Sequence, residues 1–164
     1  MLTSKKISCT RIQRIRAQGY SEYSDQQISG FAIGNRFAYQ VCTVLLFTSV
    51  VSSSLTLFTV MLSFAFLSIF LPNHVFDYFY NYAIAPKWNY PKLPPRSKQL
   101  KFACTVASLW IACTIYLLYY EFQTAATVMG ACLVGVAALV STLDYCIPSV
   151  IYNTLFTREN QTTS

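Results

Sequence analysis

The sequence predicts an all-α fold: a polytopic membrane protein with four transmembrane helices, arranged as two parallel-repeat helical hairpins that are each followed by an interfacial amphipathic helix. Three observations predict it. Hydrophobic residues make up 54% of the 164 and charged residues only 11%, against about 45 to 50% and about 25% in soluble domains. The apolar residues are gathered into two long blocks instead of alternating with polar ones. Eleven of the twelve Lys and Arg fall in two segments, before Phe37 and between Pro72 and Phe102, which is how basic topology signals flank membrane spans. A chain so poor in charge cannot cover a water-facing surface.

Residues 1–30 read as a basic cytoplasmic arm, and residues 31–157 as the membrane domain. Within the arm, Ile7 to Ala17 has two readings: a short basic helix on anionic headgroups, each Lys or Arg adding about 1 kcal/mol there, or a solvated tail. The first 36 residues hold no run of about 7 to 15 apolar residues, so no cleavable signal peptide is expected and the first span serves as its own insertion signal. From Phe37 to Leu71 no residue is charged. A span needs about 20 residues, so this stretch divides at Ser52, Ser53 and Ser54 into helices over 37–52 and 55–71. Pro72 and Asn73 end the hairpin. In the segment that follows, helical spacing puts Val75, Phe76, Phe79, Ala83 and Ile84 on one face with Asp77 and Asn81 opposite. Its aromatic residues suit the headgroup region. Pro86, Pro91, Pro94 and Pro95 then impose an extended linker carrying five basic residues up to Lys101. The second block gives helices over 102–120 and 124–143, joined by Glu121, Phe122 and Gln123; Gly130, Ala131, Gly135, Ala137 and Ala138 let a neighbouring backbone approach. Residues 144–157 repeat the interfacial pattern, and 158–164 form a polar tail.

Four spans place the arm, the linker and the tail on the cytoplasmic side with every Lys and Arg, whereas three spans would put the linker's positive charges outside. The halves also resemble each other. Arg36-Phe37-Ala38 with Val41 recurs as Lys101-Phe102-Ala103 with Val106, and Phe76-Asp77-Tyr78 as Leu143-Asp144-Tyr145. Such parallel repeats are related by an axis along the membrane normal. The expected structural charge pairs are Arg36 with Asp77 and Lys101 with Asp144, each closing its own hairpin.

Chemistry is sparse. His74 is the one histidine; it stands where the second span leaves the bilayer, where it is expected to be solvated, although with Asp77 it could make a proton relay or half a metal site. The six cysteines form no CxxC pair, so neither a disulfide framework nor a zinc site is expected. Cys42, Cys104 and Cys146 lie near the cytoplasmic ends of their segments, where packing is the expected role and sulfur chemistry the alternative. No Asp, Glu, Lys, Arg or His falls inside the expected spans, which disfavours an ion-coupled transporter. No cofactor, metal or nucleic-acid partner is expected, because phosphate-binding loops, HExxH and nucleophile elbows are missing and the basic residues follow topology.

The string PPRSKQLKFACTVA (Pro94 to Ala107), together with LDYCIPSVIYN (Leu143 to Asn153), resembles a bacterial membrane family, the domain-of-unknown-function family 4395, from residue 30 to 157 and most of all its Bacteroidota members. The resemblance implies four membrane helices and a bacterial inner-membrane location, and it brings no activity. Many members open with a Cys-Pro pair, whereas Cys9 here precedes Thr10.

The leading expectation is therefore an uncharacterised structural or accessory protein of the inner membrane, binding lipid headgroups or a larger membrane complex. The alternative is an enzyme or carrier that uses a cytoplasmic-face cluster of Arg36, His74, Asp77, Asp144 and Cys146 on a lipid-soluble or sulfur-containing substrate. A concave, closed pocket lined by those residues, or a quinone or lipid tail bound in it, supports the alternative; side chains paired off with no cavity support the first.

Overall fold

The computed structural model describes residues 7–157; the tail expected at 158–164 and Lys5 and Lys6 of the arm lie outside the described residues. The arm folds onto the rest of the chain. Helix α1 (Cys9–Ile15) runs on through a wider π-type turn, Arg16–Tyr20. Gly19 ends it at φ +96°, and a Cβ there would come within 2.5 Å of the Ser97 side chain, so the crossing requires glycine twice over.

Ser24 decides where the first long helix begins. Its hydroxyl accepts the Gln27 N–H at 3.3 Å while the Gln27 side chain accepts the Ser24 N–H at 3.0 Å, a reciprocal cap. Helix α2 therefore runs Asp25–Val51, twelve residues ahead of the expected start at 37 and across the expected boundary of the arm. The serine turn follows, then α3 (Leu55–Phe70). After Pro72 the chain bends by 79° into α4 (Val75–Phe79), a π turn (Tyr80–Ile84) and α5 (Ala85–Trp88). Ser97 caps α6 (Lys98–Tyr119), which turns back into α7 (Gln123–Leu143). A six-residue α8 (Ile147–Tyr152) and a last π turn to Thr157 complete the described chain. No strand occurs among the described residues.

α2 packs chiefly along α7, and α3 along α6. Packing inverts the pattern of a water-soluble bundle. Val44, Phe47, Val51, Phe70, Leu109 and Tyr119 all point outward and are more than half exposed, while Ser49, Ser68, Ser108 and Thr114 are buried between helices. Each of these four hydroxyls donates to the carbonyl four residues back. A small hydroxyl satisfied on its own helix lets backbones approach, and outward apolar groups need an apolar solvent. α6 and α7 are each long and apolar enough to cross a membrane, and α3 with Val75–Trp88 passes only as a bent pair.

The bundle has two distinct ends. At one, the Gln123 side chain donates to the Ser53 hydroxyl at 2.6 Å, which brings both hairpin turns together. At the other, Gln18 donates to the Asp144 carbonyl at 2.7 Å, the Ser97 hydroxyl donates to the Gln18 carbonyl, and Asn153 donates to the Ala17 carbonyl at 2.8 Å. Arm, linker and the exit of α7 thus share one level.

Candidate functional site: a thiol-lined cavity under the charged end

The charged end is organised by two buried carboxylates, and their partners correct the expected pairs. Asp144 does not meet Lys101. It accepts from Arg36, through Nε at 2.9 Å and through Nη2, and from Arg11 Nε at 2.7 Å. Asp77 does not meet Arg36. It takes a fork from Arg96, at 2.6 Å to Nε and 2.9 Å to Nη2. Each acid at the exit of one hairpin thereby binds a base at the entry of the other. The reason lies in the packing: α2 lies against α7 and α3 against α6, so the nearest cation to each acid belongs to the opposite hairpin.

The segment after Pro72 packs its polar face against the protein. Asp77 and Asn81 face inward, 1% and 7% exposed, while Phe79 and Tyr82 face out. Asn81 exchanges two hydrogen bonds with the Leu93 backbone, at 2.7 and 3.4 Å. The proline linker has few internal partners for its amides and carbonyls, so a polar side chain that satisfies them is drawn to the protein side. The Tyr80 ring fills the space left by Gly34, where a Cβ would come within 2.5 Å of it.

His74 is buried, not solvated as expected. It caps α4: its Nδ1 accepts the Phe76 N–H at 3.3 Å and its own N–H donates to Asp77 at 3.1 Å. Because Nδ1 is an acceptor, the ring proton sits on Nε2, which faces the Cys42 sulfur at 3.9 Å. Burial first, and the nearby Arg96 guanidinium second, push its pKa down to about 4 against the opposing pull of Asp77. The ring is therefore neutral at pH 7.

Beneath these groups lies a cavity of about 210 Å³ between α2, α3, α6, α7 and α8. Tyr39, His74 and Arg96 and the cysteines Cys42, Cys104 and Cys146 are among its lining residues; the wall is otherwise apolar, including Trp110, Ile111 and Leu133. The Arg96 guanidinium donates to the Tyr39 hydroxyl at 2.6 Å and lies 4.8 Å above that ring. Burial alone would lower the Arg96 pKa, but Tyr39 and Asp77 more than offset this and hold it charged. Burial pushes the Cys146 thiol up, against the Ser149 hydroxyl and amide beside it, so it is a protonated thiol and not a reactive thiolate. Cys146 also faces a second cavity, between α1 and α8, with Arg14 and Gln18. Of the expected cluster, His74 and Cys146 reach the main cavity, while Arg36, Asp77 and Asp144 are spent on ion pairs at its rim. Lys101 joins no ion pair with either acid, and no metal-binding group of three or more ligands occurs among the described residues.

Sequence reasoning overlooked Tyr39, Arg96, Gln18 and Arg11. Only Ser97 and Ser24, as helix caps, carried local signals near them. Nothing in the PPRS string marks Arg96 as buried.

Apolar helices long enough to cross a bilayer and large apolar side chains turned outward define the class of helical membrane proteins. The chain belongs to a particular family of this kind, the one described as Domain of unknown function (DUF4395), whose model matches residues 32–157. No curated protein and no solved structure matches it.

Proposed function

We propose that this is a four-span protein of a bacterial inner membrane, both termini cytoplasmic, that works as a carrier or enzyme for a lipid-soluble compound held in the thiol-lined cavity. The observation that carries this reading is the cavity itself. A largely apolar wall that includes a few polar side chains is the usual form of a small-molecule site. The even number of spans is supported by the meeting of Ser53 with Gln123 at one end and of arm, linker and α7 exit at the other. Crosswise charge pairing and the equivalence of α2 on α7 with α6 on α3 support the internal repeat.

The accessory reading loses ground in the arm. Arg11 binds the buried Asp144 and Arg14 leans on the Leu143 carbonyl, so part of the arm's basic face is turned to the chain itself. Purification in mild detergent, solvent extraction and mass spectrometry test the proposal, with an Ala107→Phe variant whose ring fills the cavity. A small molecule recovered with the natural chain and lost from the variant, at unchanged helicity, is the expected result. Equal recovery from both, or a stoichiometric partner protein and no small molecule, would return the accessory reading to first place.

A further inference from the structure

We infer that the cavity selects a neutral, carbonyl-bearing ring compound of quinone type, in preference to a fatty acid, a cation or a pure hydrocarbon. This rests on the reading of the cavity as a ligand site and names the class of ligand.

Charge excludes two classes. Among the described residues, Arg96 is the one charged side chain in the wall, and its fork to Asp77 leaves the pair with no net charge. An acid would enter without a free cation to meet it, and a cation without a free carboxylate; either is costly in an apolar surround.

Hydrogen bonding then favours an acceptor. His74 holds its proton on Nε2, since Nδ1 is occupied by the Phe76 N–H, and among the described residues that proton faces the Cys42 sulfur alone, at 3.9 Å. The Tyr39 hydroxyl accepts from Arg96, so its own hydrogen is the one it has to give. The three thiols add weak donors. The few donors in this otherwise apolar wall are complemented by a ligand that brings an acceptor, and a ring carbonyl brings one without bringing charge. A hydrocarbon would leave those donors without the partner a carbonyl supplies.

Size selects a ring. An apolar protein cavity of about 150 Å³ accommodates benzene, so 210 Å³ has room for a substituted or two-ring compound. The indole of Trp110 is in the wall, with its N–H held by the Met129 carbonyl at 3.0 Å, which leaves its face as an aromatic surface for a ring.

The same indole is the reporter. With Trp88→Phe, an exposed position, Trp110 is the single tryptophan of the full chain in lipid nanodiscs. Menadione, a tail-free two-ring quinone, is titrated, with 2-methylnaphthalene and 2-naphthoate as competitors. Saturable quenching by menadione is expected, with each competitor at least about tenfold weaker, the equivalent of about 1.4 kcal/mol. His74→Leu and Tyr39→Phe should each weaken menadione several-fold and leave methylnaphthalene unchanged; the second variant keeps the test usable where loss of the His74 cap costs folding. Methylnaphthalene competing as well as menadione, or naphthoate binding more tightly, overturns the ligand class while the cavity reading survives. Quenching that never saturates and is indifferent to Ala107→Phe sinks the cavity reading as well.

Discussion

Removing the Asp77 carboxylate should unfold the charged end, because its partner has nowhere else to go. The side chains of Asp77 and Arg96 are 2% and 4% exposed, and breaking so buried a pair from one side costs about 3 to 5 kcal/mol through the charge left behind. Asp77→Leu and Arg96→Met should each lose about that much. The double variant leaves neither charge, and its cost reduces to the other hydrogen bonds of the pair. Those are Arg96 to the Tyr39 hydroxyl and the His74 N–H to Asp77, at about 1 kcal/mol each. The double variant should therefore fall by about 2 kcal/mol, well short of the 6 to 10 that simple addition would give. Reversible unfolding in mixed micelles, followed by circular dichroism, measures all three. Additive losses, or an Asp77→Leu chain as stable as its parent, would refute the claim that these two residues act as one neutral unit.

Four further outcomes follow from the same geometry. His74 is held neutral with a pKa of about 4 against about 6.5 when unfolded; the unfolded chain binds the extra proton between those values, so about 3 kcal/mol of stability present above pH 6.5 should fade as pH falls to 4. Unfolding curves of the parent and of His74→Asn across that window check it, and equal pH slopes would count against a buried ring. Gly34→Ala drives a methyl into the Tyr80 ring and should cost about 1 to 3 kcal/mol, but little further when added to a Tyr80→Ala chain already weakened by loss of that buried ring; thermal denaturation reads both. Asp144→Asn keeps the shape but leaves Arg11 and Arg36 facing an uncharged amide, so membrane abundance on quantitative immunoblots should drop, and rescue by Asp144→Glu should be partial. Finally, cysteines placed at Ser53 and Gln123 should cross-link under mild oxidation and label with an impermeant maleimide from outside, whereas Thr157→Cys should label only after lysis; the reverse pattern would invert the topology.

Composition and blocking of apolar residues were enough to define an all-helical chain with lipid-facing helices, since those properties depend on solvent and not on partners. The ends of the second hairpin fell within a few residues of expectation because turn residues and charges bound it locally. The start of α2 was legible too, in the Ser24 to Gln27 cap, but the uncharged run beginning at Phe37 drew the expected boundary to the wrong place. Pairings were not legible. Arg36 stands 41 positions from Asp77 and 108 from Asp144, and only the choice of which helices pack decides which acid it meets. The same holds for the orientation of Asp77 and Asn81: helical spacing separates two faces but does not say which one the rest of the protein will satisfy.

The cavity belongs wholly to the tertiary level. Tyr39, His74, Arg96 with Cys104, and Cys146 come from four separate stretches, and they meet only because α2, α3, α6, α7 and α8 pack around one space. Solvent preference is a sum over residues and survives in the linear sequence. A void between helices is a difference between packed surfaces, and no local stretch of sequence contains it.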